Sequence, residues 1–310
     1  MSTDPRKAAV VGVGYVGAAT AFALAQSELF SELALINRNH DRAVAEALDI
    51  SHGLPFARPM RLYAGDWPDL EGASVVLIAA GASQVEGQTR LDLARGNVEV
   101  FRELIPRIVR HAPEAVLLVL SNPVDVLTRA AAEVSGLPEG RVLGTGTVLD
   151  TARLKYRLGR VLNVDSRGVH AYVIGEHGDS EIAAWESASV SGMPLRRFCA
   201  LRGIEDYERM TGRIAREVRE SAYEIIRRKG ATCYGVAMAA VRVCEAVVRN
   251  EKSVLPVSCV QRGLYGVEDV ALSLPAVVGR NGVETVVPIA LNNAEADALR
   301  RSADTLRGLL

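Results

Sequence analysis

The chain has 310 residues, 49% apolar and 24% charged, enough for two domains that share an interface. Its 36 Lys and Arg nearly cancel 37 Asp and Glu, and a net charge of -1 gives no electrostatic case for nucleic acid or an anionic membrane as partner. The four cysteines (Cys199, Cys233, Cys244, Cys259) lack C-x-x-C spacing and lie among apolar residues, so we expect reduced core thiols in a cytoplasmic protein, not a disulfide frame or a zinc site.

Ala8 to Val11 is a short apolar run that predicts a strand, and a small-residue helix is expected from Ala18 to Gln26. The whole uncharged stretch from Ala8 to Ser27 follows Arg6 and Lys7 and mimics a leader peptide. Gly12, Gly14 and Gly17 interrupt it, however, at a cost of about 1 kcal/mol for each glycine inside a helix. Their spacing, with Tyr15 and Val16 between, is the G-x-G-x-x-G dinucleotide fingerprint set between strand and helix. The first glycine makes the tight turn, the second admits a pyrophosphate, and the third lets helix and strand pack closely. The phosphates then meet the N–H groups at the positive end of the helix.

A second strand, Leu33 to Ile36, should end in an acid that holds the adenosine ribose. That position, twenty residues past Gly17, is Asn37, followed by Arg38. A neutral amide still bonds a ribose hydroxyl but does not repel a 2′-phosphate, so NAD is expected with some tolerance of NADP. Asn37 equally suits a plain turn residue, with cofactor choice made elsewhere.

Asn39 to His52 predicts a helix with Ala43, Ala47 and Ile50 on one face. Strands are expected at Met60 to Ala64, Val75 to Ala79, Val116 to Leu120 and Val142 to Leu143, with a helix from Leu91 to Arg110. Buried apolar runs alternating with helices indicate a doubly wound parallel sheet, whose ligands bind at the strands' carboxyl ends. Those ends carry Gly12, Asn37, Ala80-Gly81 and Ser121-Asn122-Pro123. Asn122 suits a nicotinamide ribose, or an Asx turn before Pro123. The polar segment from Ala82 to Arg90, between strand and helix, is a candidate lid. An Arg at its far end is more often solvated surface than a ligand of substrate.

From Asp150 the pattern changes. Asp150 and Arg153 lie one turn apart at the start of a helix and can face one pocket. Runs at Val169 to Ile174 and Ile182 to Val190 follow, then a long amphipathic helix through Ile214, Val218, Ala222 and Ile225. After Thr232 come a helix to Val248, a hairpin turning at Asn281-Gly282, and a helix from Leu299 to Leu310. No Pro/Gly-rich linker separates the two halves, so a cleft between them is expected.

In the stretch His170 to Ser180, Val173-Ile174 ends in Gly175 and the cluster Glu176-His177-Gly178-Asp179 follows. The pattern delivers an imidazole, with a proton to exchange near neutrality, to a cleft. A lone histidine there is more often a satisfied core residue; this one has Asp150, Arg153 and Arg90 for company.

With these residues the sequence resembles the L-lactate dehydrogenases of the lactate/malate dehydrogenase superfamily, along essentially the whole chain. VGVGYVG, SQVEGQTRLDL, SNPVDV, GTGTVLDTARLK, HAYVIGEHGDS and KGATCYG carry the resemblance, in the family's order and spacing. It implies an α/β protein: an N-terminal Rossmann doubly wound parallel sheet over residues 1–145 and a C-terminal mixed α+β catalytic domain over 146–310. It implies His177 as the acid-base group for pyruvate and lactate, Asp150 as holder of the imidazolium, and Arg153 as a bidentate clamp on the substrate carboxylate. Arg90, carried by the lid, would polarise the carbonyl, and Thr232 would line the pocket. Gln84 stands where malate enzymes place an Arg, so a second substrate carboxylate would be buried unpaired at a cost of several kcal/mol.

Two departures from the family pattern matter. Asn37 replaces the usual Asp. Lys155 and His170 occupy the positions that bind the activator fructose 1,6-bisphosphate in many bacterial relatives, but Lys lacks Arg's planar fork. A homotetramer is implied, and longer 2-keto acids are the alternative substrates. A non-catalytic dinucleotide sensor would keep the glycines without needing His177, Asp150, Arg153 and Arg90 together. A metal-dependent hydrolase would need a ligand set that is not visible in the sequence.

Overall fold

The computed structural model describes residues 4–82 and 90–309, without the side chains of residues 5, 90 and 91. In chain order the first half runs β1 (Asp4–Val11), α1 (Tyr15–Gln26), β2 (Glu32–Ile36), α2 (His40–Gly53), β3 (Arg61–Ala64), β4 (Ala73–Ile78), α3 (Arg90–His111), β5 (Val116–Val119), α4 (Val124–Ser135) and β6 (Val142–Gly144). The six strands are parallel in the order β3-β2-β1-β4-β5-β6. Ala8 to Val11 of β1, Leu33 to Ile36 of β2, and β5 and β6 are buried on both faces, which is why they read as unbroken apolar runs, while the edge strand β3 is partly exposed. Phe101, Ile105 and Ile108 of α3 and Leu127 of α4 cover one face of the sheet. Ala21 and Leu24 of α1 cover the other.

The second half continues without a linker through α5 (Val148–Leu162), β7 (Val169–His170), β8 (Val173–Ile174), β9 (Ile182–Ala183), β10 (Ser189–Val190), β11 (Met193–Pro194), α6 (Leu195–Leu201), α7 (Tyr207–Lys229), α8 (Tyr234–Val248), β12 (Ser253–Arg262), β13 (Glu268–Gly279), β14 (Gly282–Val286) and α9 (Asn293–Arg307). β12 pairs antiparallel with β6 through Ser258 opposite Gly144, and β13 and β14 extend the sheet to nine strands. The two halves therefore share one sheet. α8 packs on α1 within the first half's core. No described helix is long and apolar enough to cross a membrane.

Several expectations are corrected. The run Val169 to Ile174 is two strands, because β7 pairs with β10 while β8 pairs with β9; Ile182 to Val190 divides for the same reason. The hairpin places Arg280 and Asn281 in its turn, with Gly279 opposite Gly282. Gly282 instead meets a close backbone approach: at φ 87° a Cβ there would lie 2.1 Å from the Gly140 carbonyl oxygen. The last helix begins at Asn293, earlier than expected, behind a capping box in which Asn292 and Glu295 exchange hydrogen bonds. Cys199, Cys244 and Cys259 are buried, and burial pushes the Cys244 and Cys259 thiols up to about 12. Cys233 is not a core thiol; it caps α8 half-exposed, with Lys229 Nζ 3.7 Å from its sulfur.

Candidate active site

The glycine turn joins β1 to α1, and the chain itself demands two of its three glycines. Gly12 has φ 93°, and a Cβ on it would lie 2.4 Å from the Ala80 nitrogen; one on Gly17 would lie 1.9 Å from the Gly12 oxygen. A Cβ on Gly14 would meet nothing in the chain within 4 Å, so the turn leaves open space there, room of the kind a pyrophosphate needs to approach the backbone. The α1 N–H groups follow at once, with Tyr15 exposed, Val16 half-buried and no side chain capping the helix. The residues present therefore fit a dinucleotide. Asn37, at the end of β2, accepts the Val13 N–H at 3.0 Å and donates to the Asn39 oxygen at 2.9 Å. Its amide braces the glycine turn, and Arg38 beside it is exposed.

At the ends of β4 and β5, Ala80-Gly81 and Ser121-Asn122 come together. The Ser121 hydroxyl donates to the Ala80 oxygen at 2.5 Å. Asn97 of α3, 1% exposed, accepts the Ala82 N–H at 2.8 Å and donates to the Asn122 oxygen at 2.9 Å. Asn122 is exposed, and α4 follows Pro123, its N-cap, which offers no side-chain cap.

Across from these ends, α5 follows β6 directly and carries Asp150 in its first turn. There the helix dipole favours a carboxylate. The same turn holds β8: Thr151 Oγ1 accepts the Val173 N–H at 2.8 Å, and Thr147 Oγ1 donates to the Val173 oxygen at 2.5 Å. The loop after β8 then brings His177 Nδ1 to 2.6 Å from Asp150 Oδ2, while Arg153 Nη1 donates to Asp150 Oδ1 at 2.7 Å. One carboxylate, 2% exposed, thus joins an imidazole to a guanidinium. Burial alone would depress the histidine's pKa, but the Asp150 charge in contact with it, helped by Asp125 and Glu181, raises it to about 9. For Asp150, burial works upward but is outweighed by His177 and then Arg153, and its carboxyl is held below the usual range.

Other groups escaped the sequence reading. Asp125 accepts the His177 backbone N–H at 2.7 Å and the Ser258 hydroxyl at 2.6 Å. Ser302 of α9 accepts the Glu176 N–H at 2.9 Å and lies 2.9 Å from the Ser180 hydroxyl, which donates to Glu176. Glu181 sits near Arg219 and Arg153; burial and the Asp150 charge lift its carboxyl well above the ordinary range. Asp125 lies inside SNPVDV, yet nothing in that motif names a partner 52 positions away.

The remaining expected residues are placed unevenly. Thr232 is half-buried between α7 and α8. His170 is exposed on β7, and Lys155 is half-buried on α5, its amine pulled below the usual value by burial. Gln84 and most of the expected lid lie outside the described residues, as does the side chain of Arg90, whose backbone begins α3.

The lactate/malate dehydrogenase NAD-binding domain matches residues 6–144, and the alpha/beta C-terminal domain of the same family matches 147–309. L-lactate dehydrogenases of Moorella thermoacetica and Acetivibrio thermocellus are 49% and 47% identical, covering 99% and 98% of this chain and 97% and 96% of their own lengths. A lactate dehydrogenase from a Medee basin deep-sea metagenome library superposes with a TM-score of 0.96 at 42% identity, over 100% of this chain and 98% of its own. The minor L-lactate dehydrogenase of Enterococcus mundtii superposes at 0.95 with 37% identity, over 98% and 97%. A glycine cradle at one set of strand ends, an imidazole, carboxylate and guanidinium joined opposite it, and similarity running the full length in both halves place this chain in the lactate/malate dehydrogenase family.

Proposed function

We propose that the protein is an NAD-dependent L-lactate dehydrogenase interconverting pyruvate and (S)-lactate, with residues 1–145 binding the dinucleotide and 146–310 supplying the catalytic side chains. The observation that carries the reading is the His177–Asp150–Arg153 contact chain, supported by the full-length likeness to L-lactate dehydrogenases. Gly12, Gly14, Tyr15, Val16, Gly17, Asn37, Arg38, Ala80, Gly81, Ser121 and Asn122 would hold the cofactor. NADH, when bound, supplies the hydride that reduces the carbonyl carbon. His177 holds a proton at neutral pH and gives it from Nε2 to the carbonyl oxygen, since Nδ1 faces Asp150. Asp150 keeps that tautomer and stabilises the imidazolium before transfer. Arg153 takes the substrate carboxylate, Thr232 lines the pocket, Asn122 hydrogen-bonds in the cleft, and Arg90 stabilises charge growing on the carbonyl oxygen.

Gln84 makes the choice between pyruvate and oxaloacetate, because a second buried carboxylate would have no cation opposite it. NAD is preferred, with weakened discrimination against NADP, since Asn37 is neutral and Arg38 stands exposed beside it. The enzyme is a cytoplasmic homotetramer. Lys155 and His170 supply cationic groups for fructose 1,6-bisphosphate; a pyruvate saturation curve unmoved by the bisphosphate removes that role. The decisive assay follows absorbance of the reduced nicotinamide with pyruvate, oxaloacetate and branched 2-keto acids, each with NADH and NADPH. Pyruvate with NADH is expected to give the highest kcat/KM. Faster turnover of oxaloacetate reassigns the substrate, and no turnover with any acid marks a dinucleotide sensor.

A further inference from the structure

We infer that Asp125 is a positioning residue for His177, fastening the backbone of the acid-base histidine to the segment that carries Ser121 and Asn122. The inference rests on the reading of His177 as proton donor. Asp125 lies in the first turn of α4 and is 2% exposed, three residues beyond Asn122. One carboxylate oxygen takes the His177 N–H at 2.7 Å and the other takes the Ser258 hydroxyl of β12 at 2.6 Å. The dinucleotide half, the nine-stranded sheet and the catalytic loop thus meet on one side chain.

A carboxylate is a costly choice for this place. Burial pushes Asp125 up to about 6, against the lowering effect of the Ser258 and His177 hydrogen bonds and the His177 charge. Anchoring a backbone N–H does not need an ion. The next N–H back along the same loop, that of Glu176, is held by the neutral hydroxyl of Ser302. What a carboxylate adds is a second acceptor oxygen and a negative charge near the imidazolium. Asp150 meets the ring at Nδ1 while Asp125 holds the main chain behind it, so both favour the protonated ring. The charged and titratable groups around the pair are Glu176 on the loop, Cys259 on β12, Asp150 and Arg153 on α5, and Glu181 with Arg219 of α7 beyond.

The test compares Asp125→Asn and Ser258→Ala with the parent enzyme, measuring kcat, KM for pyruvate, NADH affinity by fluorescence and the pH profile of kcat/KM. Asn keeps one acceptor for His177 and removes the charge. The Asp125→Asn change is expected to lower kcat on the order of 10- to 100-fold and to move the alkaline limb of the profile to lower pH, with NADH affinity unchanged. Ser258→Ala leaves the charge but frees the carboxylate to swing; kcat falls by a smaller factor and the limb stays in place. An Asp125→Asn enzyme with an unmoved limb overturns the inference, as does one whose activity falls only in step with NADH affinity. If that variant does not fold, Ser258→Ala decides by its kcat, and an unchanged value overturns the inference. A parent enzyme that fails to reduce pyruvate instead removes the functional reading beneath it.

Discussion

A histidine ring in water gives up its proton near pH 6.5, yet His177 holds its own to about 9 because Asp150 touches it. The protonated ring is the form that serves pyruvate reduction. Reduction should therefore persist through neutral pH and fall as pH rises through about 9, while lactate oxidation, which starts from the neutral ring, gains over the same range. Asp150→Asn should shift both limbs to lower pH and reduce kcat on the order of 100- to 10,000-fold, as a wrong tautomer does in other dyads. Rates measured in both directions across pH 6 to 10 check this, and limbs left in place by the substitution would detach Asp150 from the proton. Arg153 poses a separate question, because one of its nitrogens already serves Asp150. Lys in its place keeps a charge but loses the planar fork, so Arg153→Lys is expected to raise KM for pyruvate by roughly two orders of magnitude or more.

At the scale of elements, α9 shows how a helix far along the chain fixes two loops of the second half, the His177 loop through Ser302 and the Trp185 turn through its N-terminal box. Its Asn292 accepts the Glu295 N–H at 3.0 Å, and Glu295 in return accepts the N–H groups of Asn292, Trp185 and Glu186. Asn292→Ala should cost about 1 kcal/mol in urea unfolding. Glu295→Ala strands three backbone donors and should cost more, on the order of 3 kcal/mol; the reverse ranking would mean the capping box stands apart from the Trp185 loop. Strand–glycine turn–helix at Gly12 was legible because its signal is local, whereas the Asn-x-x-Glu start of the last helix, equally local, was passed over in favour of the apolar spacing from Leu299. The split of Val169 to Ile174 was not legible. Its apolar residues bury as a continuous strand would, and only the choice of ladder partner separates β7 from β8. The same limit hid Asp125 and Ser302: sequence pattern reports which residues are buried, while a hydrogen bond spanning 52 or 126 positions depends on how distant elements meet.

For the whole molecule, the shared sheet sets the cleft and also leaves a face of unusual character. α1 and α8, one from each half, pack together, and their outer surfaces show Tyr15, Phe22, Tyr234 and Met238. Tyr234 and Met238 are one turn apart on one face of α8. Leu48 of α2 and Phe56 are exposed as well, the latter at 94%. Net charge near zero and several large apolar side chains in view make a poor surface for a monomer in water. A self-complementary patch closes a dimer, and a tetramer requires a second, different one. The homotetramer proposed above needs this patch and a second one, and on that proposal the parent protein is expected to sediment as a tetramer. Introducing a carboxylate at the patch, by Phe22→Glu or Met238→Glu, would bury an unpaired charge between subunits at a cost of several kcal/mol. Either substitution should leave dimers held by the second interface, visible as a step in sedimentation coefficient at micromolar protein. Phe22 and Met238 are not among the residues assigned to pyruvate or the cofactor, so far-ultraviolet circular dichroism and NADH binding should stay at parent values in the dimers. A parent protein that sediments as a monomer, or variants that remain tetrameric, would show that the α1–α8 face is not where subunits meet.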